Sequence, residues 1–149
     1  MPSHRTTLHP SRHPGFTLIE LMVVLAIIAI VALVAAPDYQ SSIASSRKTS
    51  AANNLLGALQ FARSEALTRR SDVTVCASSN GSTCSGSDWS TGGVVLDGST
   101  LLRSIPAAPK VAISGNAITI KSDGTTTASS ISVDDKTVSI NIVGHAKIN

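Results

Sequence analysis

Phe16–Ala36 reads FTLIELMVVLAIIAIVALVAA, a run of 21 residues with one charge, Glu20, and neither Gly nor Pro. As an α-helix at about 1.5 Å per residue it reaches roughly 30 Å, the thickness of a bilayer core. A buried core helix would need protein on every side, and a chain of 149 residues, one domain's worth, is too small to supply it. A cleaved secretory signal would have an apolar region of about 7–15 residues followed by a small-residue cleavage site, and this run is longer. The expectation is a membrane helix over 16–36.

Ahead of it lies MPSHRTTLHPSRHPG, which carries Arg5, Arg12, His4, His9 and His13 and no acid. By the positive-inside rule this end stays in the cytoplasm and everything after Pro37 lies across the membrane. Glu20 is the anomaly. A carboxylate four residues into an apolar segment costs on the order of 2–3 kcal/mol on insertion scales, so a neighbouring helix or a cation should compensate it. A free α-amino group at Phe16, released by cleavage after Gly15, would be such a cation. That makes Glu20 an assembly determinant rather than a catalyst.

Gly15-Phe16-Thr17-Leu18-Ile19-Glu20 with the apolar run resembles the class III signal of type IV pilins and pseudopilins. The resemblance implies that residues 1–15 are a leader removed by a prepilin peptidase between Gly15 and Phe16. It further implies that Phe16 is methylated and that Glu20 registers each subunit against its neighbour. Pro37 matches the helix-bending proline of that family, and the ring removes one backbone donor. A second resemblance lies in Phe61-Ala62-Arg63-Ser64-Glu65-Ala66, Val73-Thr74-Val75-Cys76, Cys84, and Trp89 before Gly92-Gly93-Val94-Val95. It is to the GspH/FimT family of minor pilins, and the two matches run from 15 to about 97. The Gly-Gly-Val-Val-Leu strand departs from the pattern by lacking aromatics.

From Asp38 to Arg70, Ala52, Leu55, Leu56, Leu59, Ala62, Ala66 and Leu67 recur every three or four residues and predict one amphipathic helix. If continuous with the membrane segment, it runs from about 16 to 70 and is bent at Pro37. After Ser71 the period falls towards two. Strands are predicted at 73–76, 93–96, 101–105, 111–113, 117–121, 131–133 and 137–143. Turn clusters at Asn80-Gly81, Asp97-Gly98, Gly115-Asn116, Asp123-Gly124 and Asp134-Asp135 separate them. The fold expected is α+β and pilin-like: one long N-terminal helix packed on antiparallel sheet, with a globular domain over 37–149 whose β-rich part is 72–149. The stretch 122–130 reads as a hairpin loop or a flexible insertion.

Cys76 and Cys84 are the only cysteines and face the oxidising side, so a disulfide is expected. A metal site would need further ligands, and beyond the leader only His145 remains. No cofactor is expected. No GxSxG, P-loop, dinucleotide-binding glycine pattern or HExxH is present, so the chain is not read as an enzyme. Asp123, Asp134 and Asp135 could be imagined as a carboxylate or calcium site but fall at turn positions that favour Asp for backbone reasons.

Charged residues are only 14% of the chain, whereas 23 Ser and 14 Thr supply an uncharged polar surface. Some minor pilins of the resembled family bind DNA through a C-terminal Gly-Arg-any-Arg element, and the matching positions here are Gly144-His145-Ala146-Lys147. The first Arg is replaced by a histidine, mostly neutral at pH 7. Without Arg5 and Arg12 the 12 basic residues fall to 10 against 9 acids, a net charge of +1 that by itself predicts no DNA binding. Phe61 is expected in the core, and the tail around His145 and Lys147 is otherwise a solvated, frayed end.

The function implied is a FimT/FimU-like minor pilin that helps initiate or cap a type IV pilus. The alternatives are a minor pseudopilin of a type II secretion system, or a DNA receptor for transformation. The partners implied are the prepilin peptidase, other minor and major pilins in a helical filament, and an inner-membrane assembly platform. The place implied is the bacterial inner membrane in single-pass, N-in topology, with the globular domain in the periplasm, and then the filament.

Overall fold

The computed structural model describes residues 15–149, apart from the side chains of 34–38. Residues 1–14 of the expected leader 1–15 lie outside the described residues, and so does the side chain of Pro37.

Helix α1 (Leu18–Arg69) is 52 residues long and passes through Pro37. Its start is written in the sequence. The Thr17 hydroxyl accepts from the Glu20 backbone N–H at 3.3 Å, and the Thr17 carbonyl accepts from Leu21 N–H at 3.2 Å. Thr17 is thus the N-cap and Glu20 stands three residues on, the sequence of a capping box, with its acid at the positive end of the helix dipole. Arg70, at φ 55°, ends the helix as a left-handed residue.

The chain divides into two units, one ending at Gln40 and the other Ser41–Asn149. In the first, the large apolar side chains from Phe16 to Leu33 are exposed around the whole helix, Phe16 at 81% and Leu33 at 79%. Among the described residues no helix is long and apolar enough to cross a membrane. The described apolar stretch 18–33 falls short of the roughly 20 residues a span needs, and the side chains of 34–36, which extend it in sequence, are not described.

The second unit packs the rest of α1 on two four-stranded antiparallel sheets. Strands β1 (Val73–Ala77), β2 (Gly93–Asp97), β3 (Thr100–Ile105) and β5 (Ile118–Ile120) form one, in the order β3-β2-β1-β5. Strands β4 (Ile113–Gly115), β6 (Ser129–Val133), β7 (Lys136–Ile140) and β8 (Ala146–Ile148) form the other, in the order β4-β6-β7-β8. Alternation decides the faces. Val73, Val75, Val95, Ile118, Ile120, Ile131, Val133, Val138 and Ile140 join Ala52, Leu55, Leu59, Ala62 and Ala66 of α1 in one core. On the far side of the first sheet Cys76, Val94 and Leu96 make a small cluster of their own. Trp89, buried, ties loop to sheet by donating its indole N–H to the Gly115 carbonyl at 2.9 Å.

Several expectations are corrected. The tail is not frayed: Ala146–Ile148 is a strand paired with β7, Lys147 opposite Ser139. The strand expected at 111–113 lies at 113–115, because Val111 is buried without joining a ladder. The strand expected to reach 143 stops at Ile140 so that the chain can turn into β8. Leu67 is 47% exposed and leaves the stripe, where Ala58 is buried instead. Phe61 is half-buried at the edge of the core, with the Arg103 guanidinium over its ring at 5.5 Å. The segment 122–130 is ordered by Asp123, whose carboxylate accepts from the hydroxyl and N–H of Thr125 at 2.6 and 2.9 Å, and by the Ile120–Thr126 bridge.

Candidate functional site

Gly15 and Phe16 precede the helix and are exposed: among the described residues a β-carbon on Gly15 would meet no atom within 4 Å. Glu20 sits at the third helical position, where its backbone is held by Thr17. The Thr17-to-Glu20 spacing is a capping signal that the hydropathy of the run conceals, and it places the acid in the first turn of α1.

Cys76 and Cys84 are joined in a disulfide with Cα atoms 5.5 Å apart. Cys76 is on β1, and Cys84 ends the loop Ser78–Thr83 that β1 feeds. Around it Asn80 Oδ1 accepts from Ser82 N–H at 2.9 Å and Thr83 N–H at 3.0 Å. This is a loop built from side-chain acceptors rather than apolar packing.

Gly144, His145 and Lys147 are brought together by the β7–β8 turn. Gly144, at φ 75°, donates to the Asn141 carbonyl at 2.9 Å, and the His145 N–H donates to Asn141 Oδ1 at 2.8 Å. His145 and Lys147 line an open groove of about 610 Å³ with Ala128, Ser129, Ser130, Ser139, Ile140 and Asn141. The two expected tail residues therefore share one serine-lined surface. Gly144 is not on it. That glycine is buried, facing α1, and its role is backbone geometry.

The acids raised and set aside above are engaged in turns. Asp134, at φ 50°, and Asp135 form the β6–β7 turn and face Lys48 of α1 at 3.8 and 3.4 Å. The Asp135 carboxyl is held below the usual range first by its own backbone N–H and then by Lys48. The Thr125 hydroxyl, followed by its N–H, holds Asp123 low. Arg69 is held above its ordinary value chiefly by its bond to Glu65 at 2.6 Å, with Asp97 adding to it. Among the described residues no three His, Cys, Asp or Glu side chains gather into a metal-holding group.

A helix with an apolar first half, followed in sequence by a β-rich domain that carries a disulfide loop, defines a pilin-type subunit. The head, residues 51–146, matches the family described as Type II transport protein GspH, and residues 10–36 match the prokaryotic N-terminal methylation motif. The chain belongs to the GspH family and is a minor pilin of the GspH/FimT type. Its fold is similar to that of the type IV minor pilin FimU of Pseudomonas aeruginosa in two crystal forms. One matches with 20% identity and a TM-score of 0.52 over 68% of this chain and 91% of that one. The other matches with 21% identity and a TM-score of 0.56 over 70% and 90%. No curated protein matches in sequence.

Proposed function

We propose that the chain is a FimU-like minor pilin that helps initiate or cap a type IV pilus. The observation carrying this reading is the conjunction of a methylation motif over 10–36 with a head whose fold covers nine-tenths of a known minor pilin. On this reading the prepilin peptidase cuts between Gly15 and Phe16, Phe16 is methylated, and the chain waits in the inner membrane, N-terminus inside and head in the periplasm. The exposed apolar side chains of Phe16–Leu33 support it, because a helix apolar all round needs lipid or other helices about it. Extraction by the inner-membrane assembly platform would exchange lipid for the matching helices of other minor and major pilins. Glu20 then registers the subunits, and Pro37 marks where α1 leaves the filament core. The role is structural rather than enzymatic, and no cofactor is called for.

The second reading is a minor pseudopilin of a type II secretion system, favoured by the description of the matched family. Deleting the gene and restoring it discriminates the two. Loss of surface pili with secretion intact supports the pilus, whereas loss of protein export with pili intact overturns it in favour of the secretion machine. A DNA-binding role rests on a separate observation, the shared groove of His145 and Lys147, and is tested last below.

A further inference from the structure

The loop after β1 carries a chemically labile dipeptide, Asn80–Gly81. With no side chain on Gly81, its backbone nitrogen meets little hindrance in approaching the Asn80 side-chain carbon Cγ. The loop is fastened at both ends. Buried Ser78 donates its N–H to the Gly92 carbonyl at 3.0 Å, Ser85 N–H donates to the Ala77 carbonyl at 2.8 Å, and the Cys76–Cys84 disulfide closes the ring. Asn80 is its hub. Besides the N–H groups of Ser82 and Thr83, its Oδ1 accepts from Ser78 Oγ at 3.1 Å, and its Nδ2 donates to Thr83 Oγ1 at 2.9 Å.

These bonds act in opposite directions. Donors at Oδ1 polarise the side-chain carbonyl and leave Cγ more electrophilic, which primes the amide for attack. Meanwhile the Gly81 N–H donates to Ser78 Oγ at 3.0 Å, which occupies the nucleophile's proton, and the anchored Oδ1 fixes the side chain in place. We propose that Asn80–Gly81 is a deamidation site kept intact by the Cys76–Cys84 disulfide, and that opening the disulfide releases the loop to react. In the step, Gly81 N gives up its proton and bonds to Asn80 Cγ, and the side-chain nitrogen leaves as ammonia. Water then opens the resulting five-membered imide at either carbonyl, giving aspartate or isoaspartate. Opening the disulfide takes two electrons and two protons from a dithiol reductant, which is itself oxidised to a disulfide, whereas the deamidation that follows needs neither oxidant nor reductant. Either product adds a negative charge and loses the Nδ2 donor to Thr83, and isoaspartate also adds a main-chain carbon, so the loop keeps a permanent record of having been open.

The test follows Asn80 by peptide mapping in the full chain in detergent at mildly alkaline pH. The oxidised native protein, a C76S/C84S double variant, and the oxidised protein unfolded in urea are compared. Since local opening gates the reaction, conversion in the double variant should be about tenfold faster than in the oxidised native protein, approaching the unfolded rate. Equal rates in native and unfolded protein, or no conversion in the unfolded chain, overturn the proposal. Should circular dichroism show the double variant unfolded, Ser78→Ala with the disulfide intact decides. Ser78→Ala frees the Gly81 N–H and also takes one donor from Asn80 Oδ1, but the N–H groups of Ser82 and Thr83 keep that oxygen polarised, so conversion should be about threefold faster. An unchanged rate overturns the gate.

Discussion

Gly144 lies directly against the side chain of Arg63, so that a β-carbon on it would fall 2.9 Å from Nε and 3.0 Å from Cδ, and would also collide with the Gly124 carbonyl oxygen. The glycine that opens the tail element is therefore required by packing between the β7–β8 turn and α1, and by a φ of 75°. Arg63 Nε is buried there without a hydrogen-bond partner, so a shift of this side chain would break no bond at Nε, whereas the Gly124 carbonyl is backbone and has less room to give. Gly144→Ala should destabilise the protein by about 2–4 kcal/mol, combining a left-handed backbone with overpacking. A denaturant midpoint within error of wild type would show that the two turns and Arg63 can part at little cost.

Much of this fold is legible in the sequence because burial and pairing coincide. Val73–Ala77 and Gly93–Asp97 are apolar runs between turn signals, and the α1 stripe from Ala52 to Ala66 points at them. The failures occur where the two part company. Val111 is buried but unpaired, and Ala146–Ile148 alternates buried, exposed and half-buried over only three residues, too few for a period to stand out in sequence. The site divides the same way. Cys76 and Cys84 are near in sequence, whereas the meeting of Arg63, Gly124 and Gly144 is long-range and invisible to local pattern.

Processing should depend on the residue before Phe16. Replacing Gly15 by Leu should leave an uncut precursor about 15 residues longer, because the exposed Gly15–Phe16 junction offers a peptidase a backbone without side-chain bulk on one side. Electrophoresis reads this directly, and mature-sized protein from the Leu variant would contradict the assigned cut.

One pair of variants separates the helix-end position of Glu20 from the registration role proposed for it. Glu20→Ala should insert in the membrane as well as wild type or better, having shed a costly charge, yet fail to enter filaments. Thr17→Ala removes only the hydroxyl that caps Glu20 N–H and should cost about 1 kcal/mol of helix stability while leaving incorporation intact. Filaments assembled normally by Glu20→Ala would mean that the carboxylate serves the helix end alone.

Cys76→Ser, Cys84→Ser and the double variant should be equally destabilised, since one bond is lost in each. For so short a loop the chain-entropy relation gives about 2.5 kcal/mol. Thermal unfolding compares the three, and a thiol assay on unreduced, denatured protein should find no free thiol. Two thiols per chain would contradict the bond.

DNA binding, if present, should run through the groove where Lys147 lies opposite Ser139 and beside His145. One fixed charge and serine hydroxyls can hold phosphate but offer no base-reading pattern, so affinity should be weak, sensitive to salt and indifferent to sequence. Lys147→Glu should abolish binding, and His145→Arg should strengthen it at pH 7.5 by supplying a charge that does not titrate. Fluorescent duplex DNA titrated with the purified protein measures each of these effects. Binding unchanged by Lys147→Glu would move the site to the end of α1. There Arg70 is exposed and at φ 55°, while Arg69 is already engaged by Glu65 and Asp97. No binding at pH 6 and low salt would leave the strand pairing of the tail, rather than any ligand, as the reason its residues lie where they do.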